Sequence, residues 1–212
     1  MTVYRDDYEG IGEVGGWVHD LGAAWTAELE RSRVIVTEKD AGFVLEATQG
    51  APRDIVWSFM TDPAKRPLWQ AGVQAVDEKP TAPRRGVGTT NHCMHGKDVM
   101  IEEILDWRPT EYVTHRTTMP NGMKVVSSFT YEDVPEGTRV RLLFTWGKSR
   151  REREESTGLI DLLADLVGRG QANLRVVLGE EMARRAALAA DAPPEPVTPE
   201  SMDRELLEPV RQ

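Results

Sequence analysis

Hydrophobic positions along this 212-residue chain change their spacing several times. From Trp17 they recur every four residues, at Leu21, Trp25 and Leu29, which predicts a helix over "VGGWVHDLGAAWTAELERSR" with one apolar stripe. "GFVLEATQG" alternates as a strand does. "PRDIVWSFM" returns to helical spacing through Ile55, Val56, Phe59 and Met60, with Pro52 suited to a first helical turn. In "DPAKRPLW" Asp62 can cap a second short helix beginning at Pro63, while Pro67 is expected to stop it and leave Trp69 pointing back. Lys65 and Arg66 are expected in solvent, since long cations are seldom buried without a partner.

Six strand-like segments follow between residues 71 and 146, separated by "PTAPRRG", "GK", "RPT", "PNG" and "PEG". Turn chemistry at such short intervals predicts consecutive antiparallel hairpins. Ile160, Leu163, Val167, Leu174, Leu178 and Met182 then predict a long helix from about 156 to 189, which Gly168 and Gly170 could kink. The closing "DAPPEPVTPESMDRELLEPVRQ" is rich in proline and acid, a composition that does not build a core. Three regions result: an N-terminal helical extension (1–41), one α+β domain (42–190) and a disordered Pro-rich acidic tail (191–212). The tryptophan-bearing stripe of the extension wants an apolar partner, either the domain itself or a second copy in a homodimer.

Charge and chemistry narrow the function. A net charge of −9 argues against nucleic-acid binding, which needs a basic face to displace counterions. "KSRRER" runs directly into Glu154 and Glu155 and reads as a solvated helix approach. No apolar run reaches the roughly 18 residues of a membrane span, the first residues lack a secretory pattern, and Cys93 is the single cysteine, so a reducing cytoplasm is expected. No cofactor or metal is expected either. His92 and His95, three apart on a strand, point to opposite faces, and "GVGTT" lacks the lysine and helix of a phosphate loop. Cys93 has no evident activating base, and Ser127 and Ser128 lack a nucleophile elbow.

The segments "APRDIVWSFMTDPAKRPLW", "RRGVGTTNHCMHG", "EEILDWRPTEYVTH" and "EGTRVRLLF" resemble the polyketide cyclase/dehydrase branch of the START-like (SRPBCC) superfamily. The resemblance implies a helix-grip fold: a curved antiparallel seven-stranded sheet around a long C-terminal helix, with two short helices after the first strand. It further implies that "DPAKRPLW" closes one end of a cavity and supports its lid. The superfamily hosts carriers, receptors and enzymes, so membership alone does not settle the chemistry.

Strand alternation offers a finer expectation. With three-residue loops at Gly96–Asp98 and Arg108–Thr110, Asn91, Cys93, His95, Ile101, Glu103, Leu105, Trp107, Val113 and His115 share the concave face, and Glu103 lies opposite His115. Met100, Glu102, Asp106, Arg116 and Thr118 then fall outside. On the last strand Val140, Leu142, Phe144 and Trp146 point inward and Arg139 and Arg141 outward, while the strand before it is ambiguous. The expectation is binding of a hydrophobic small molecule, such as a lipid, polyketide or aromatic metabolite. Trp69, Trp107, Phe144 and Trp146 would supply apolar contact, and Asn91, His95, Glu103 and His115 would orient the ligand. An alternative is a cyclase- or aromatase-like enzyme using Glu103 and His115 as acid and base. Another is an interaction module with a collapsed cavity.

Overall fold

The computed structural model describes residues 33–81, 85–147 and 158–191, with Ser149, Glu152, Glu154 and Ser156 between the last two stretches. The stripe from Trp17 to Leu29 and the tail after Asp191 lie outside the described residues. The elements run β1 (Phe43–Gln49), α1 (Arg53–Thr61), α2 (Arg66–Trp69), β2 (Ala75–Lys79), β3 (Thr90–His95) and β4 (Asp98–Arg108). They continue with β5 (Tyr112–Thr118), β6 (Lys124–Val134), β7 (Gly137–Trp146) and α3 (Leu159–Ala190). All strands form one antiparallel sheet in the order β1-β7-β6-β5-β4-β3-β2, so the hairpins are consecutive and β1 closes against β7. This is the α+β helix-grip arrangement.

One face of the curved sheet carries the core. Ile104, Val113, Val125, Tyr131, Val140, Leu142 and Phe144 point from it toward α1 and α3, whose contributions include Val56, Phe59, Leu159, Leu174 and Leu178. β6 has no bulge against β7, and its inner set is Val125, Ser127, Phe129 and Tyr131. α3 spans 32 residues, roughly 48 Å, and runs unbroken through Gly168 and Gly170. Its buried stripe begins at Leu159, while Ile160 is about half exposed. α2 begins at Arg66, not at Pro63, and Pro67 sits inside its first turn, where a missing N–H costs nothing.

Residues 33–41 are not helical: they cross the outer face as a strap. The Val36 amide donates to Ser128 Oγ at 2.7 Å and the Val34 amide to Asp106 Oδ2 at 2.9 Å. The strap explains why Ser128 and Thr114, on the outer face of the central strands, are buried and joined at 2.8 Å. At the β6–β7 turn, a Cβ on Gly137 would lie 2.2 Å from the Gln49 carbonyl oxygen; with φ at 130°, only glycine lets the end of β1 pass there.

Two turns set the position of the sheet's side chains. The β3–β4 hairpin closes on two residues, Gly96 and Lys97, with Gly96 at φ 64°, so His95 pairs with Asp98. A glycine with positive φ at the first central position is the two-residue turn whose twist suits a hairpin. β4 then carries a bulge at Leu105, which changes the pairing with β5 from Ile104↔His115 to Asp106↔Thr114. The first turn is one residue shorter than the three-residue loop expected from sequence. The β4–β5 loop has the expected three residues but lies one residue later, at 109–111, and the bulge shifts the pairing beyond it by one residue.

Candidate functional site

That displacement changes which acid faces inward. Glu102, not Glu103, lies on the inner face, opposite Asn91 on β3 and Thr117 on β5. Glu103 pairs across the sheet with Arg116 and binds its guanidinium at 2.6 Å on the outer face, both side chains well solvated. It is therefore not beside His115, and the expected acid/base pair does not form. Met100 also turns inward, and Ile101, expected inside, is exposed.

The inward carboxylate meets a cation that the sequence reading left in water. Arg66 is 5% exposed. Its Nη1 and Nη2 donate to Glu102 Oε2 and Oε1 at 2.5 and 2.8 Å, and its Nε donates to Gln70 Oε1 at 2.7 Å. A two-pronged guanidinium–carboxylate pair is the geometry that best offsets desolvation of both charges. Burial by itself would raise the Glu102 pKa; Arg66 overrides it and takes the group down to about 2. The Cys93 thiol, next to this pair, is pushed up to about 12 by burial and then by Glu102, so it is a packed thiol and no nucleophile.

A cavity of about 120 Å3 lies between the inner face and the first half of α3. Its walls are mostly apolar: Met100, Val125, Phe129, Leu142 and Phe144 from the sheet, Met119 from the β5–β6 turn, and Leu159, Leu162, Leu163, Leu166 and Val167 from α3. Trp69, Gln70 and Ala71 close one side, Trp69 being locked by an indole N–H that donates to the Phe59 carbonyl at 2.9 Å. Polar groups converge from Glu102, His95, Thr117, Ser127 and Gln171, the last joined to buried Gln49 at 2.9 Å. His95 Nε2 is shielded from solvent and has no hydrogen-bond partner among the described residues. Met119, Leu159 and Leu162 also line a second groove at the β5–β6 turn, so the cavity and the groove meet at the start of α3.

Of the residues expected at the ligand, the structure brings Trp69, His95 and Phe144 to the cavity. Asn91 is wholly buried on the inner face but apart from the cavity wall, and its amide has no partner among the described residues. Trp107 packs edge-on to Trp57 at 4.9 Å beneath α1, and the Trp146 ring covers Gly42. His115 is buried behind the wall, edge-on to Phe129 at 5.6 Å; burial drives its pKa down to about 4, against the pull of Glu102. The reading missed Arg66 and Glu102. "HGKD" carried the needed signal: a glycine in the first of two central turn positions puts Glu102 inside, and an inward acid demands a cation.

Comparison with known proteins agrees with this architecture. The family profile described as polyketide cyclase / dehydrase and lipid transport matches residues 41–178. The chain belongs to that family. No curated protein matches it. Among solved structures, NE0264 from Nitrosomonas europaea is similar at 15% identity and TM-score 0.53, over 69% of this chain and 99% of that one. Ms6760 from Mycobacterium smegmatis has 13% identity and TM-score 0.52 over 70% and 98%. MLL2253 from Mesorhizobium loti has 20% identity and TM-score 0.50 over 62% and 95%. At these identities the likeness is one of fold. Among the described residues, no helix is long and apolar enough to cross a membrane, and no group of His, Cys, Asp and Glu could hold a metal ion.

Proposed function

We propose that this member of the polyketide cyclase/dehydrase family binds a hydrophobic small molecule between the sheet and α3. The observation that carries the reading is the cavity itself: apolar over most of its wall, with Glu102 and His95 turned into it. Binding is favoured over acid/base catalysis by the state of its ionisable groups. Glu102 is held near 2 and His115 near 4, both far below neutral, whereas an efficient proton shuttle sits close to the working pH. His95 is depressed as well, by burial first and against the pull of Glu102.

Native mass spectrometry of the purified protein tests the reading, with a Leu163→Trp variant that fills the cavity from α3 as control. The wild type is expected to carry a small-molecule adduct that the folded variant lacks. A wild type without adduct, or an adduct held equally by both proteins, would contradict a ligand site at this position.

A further inference from the structure

Resting on the reading that this cavity is the ligand site, we infer that it selects an uncharged ring-bearing ligand with a hydroxyl head, a phenol or alcohol, over the corresponding carboxylate. Among the described residues the wall contains one ionised side chain, and it is an anion, Glu102. Arg66, the cation that holds it, is not part of the wall, and its Nη1, Nη2 and Nε already serve Glu102 and Gln70. A ligand carboxylate would therefore sit beside a fixed negative charge with no cation facing it, in a poorly screened interior.

A hydroxyl suits the same place. Its O–H can donate to a Glu102 oxygen, a charge-assisted bond stronger than one between neutral groups. His95 lines the same wall, but its Nε2 lies beneath the cavity surface and offers the ligand no contact, so the hydroxyl's partner is Glu102. Burial keeps His95 below its ordinary pKa, so at neutral pH it brings no positive charge that would welcome an acid. Size points to one ring: the cavity is about 120 Å3, and an engineered apolar cavity of about 150 Å3 in another protein accommodates benzene. Longer substituents would leave toward Met119 and Leu162, where the cavity meets the outer groove.

The test is calorimetric titration of the full chain with 4-ethylphenol, ethylbenzene and 4-ethylbenzoate at about pH 7.5, where the phenol is neutral and the benzoate ionised. The phenol is expected to bind about tenfold or more tighter than either of the others, and to lose that binding in Leu163→Trp. Ethylbenzene or 4-ethylbenzoate matching the phenol would overturn the hydroxyl selectivity while leaving a hydrophobic site intact. Phenol binding that persists unchanged in Leu163→Trp would place it elsewhere and overturn the assignment. If none of the three binds at millimolar concentration while the native adduct is present, the single-ring class is wrong; if the adduct is also absent, the ligand site falls with it.

Discussion

A carboxylate as enclosed as that of Glu102 would ordinarily take up a proton, and the Arg66 guanidinium is what keeps it charged. Among the described residues, His115 has no such partner. It faces the charges of Glu102, Arg66 and Arg85, of which only Glu102 favours the imidazolium, and burial outweighs all three. An unfolded imidazole binds its proton near 6.5, whereas the native one resists it down to about 4. Between those values the unfolded chain carries the extra proton, so stability falls as pH drops from 6.5 toward 4 and is unaffected above 6.5. Urea denaturation at about pH 7 and about pH 4.5 is expected to show roughly 2–3 kcal/mol of loss from this residue. In His115→Gln the slope over that window should flatten. The Glu102 contribution, present above 4.5, is lost progressively as pH falls from 4.5 toward 2, mostly below the His115 window.

At the scale of elements, the hairpins were legible because each strand is bounded by glycine or proline. The long helix was legible because its apolar residues recur at helical spacing. What the spacing hid was turn length and the bulge at Leu105. A strand shows its faces with a period of two, so an error of one residue exchanges every inward side chain for its neighbour. That is how Glu103 stood in for Glu102. Arg66 was hidden for a linked reason: an arginine is placed in solvent unless an inward acid is known to await it. In α3, Gly168 is half-buried with open space where a Cβ would stand, and its helical backbone needs no glycine. Gly168→Ala is therefore expected to stabilise the protein by about 1 kcal/mol, read as a higher midpoint of thermal unfolding.

The whole molecule is a sheet with two working faces. The outer face is fastened by the strap of residues 33–41 through Asp106 and Ser128, and carries solvated pairs such as Glu103–Arg116. The inner face holds the core, the cavity and a charge pair that would be costly anywhere drier or less complete. The segment order across the chain predicts this layering, whereas the cavity's polar end depends on turn geometry at Gly96 and on a single bulge. The assignment of faces is thus the claim on which the ligand site, its selectivity and the His115 titration all stand. Urea denaturation of Glu102→Gln and Glu103→Gln side by side tests it most directly. Breaking the buried pair should cost about 3–5 kcal/mol and breaking the solvated one less than about 1 kcal/mol. Equal losses, or a greater loss from Glu103→Gln, would contradict the register and the site built upon it.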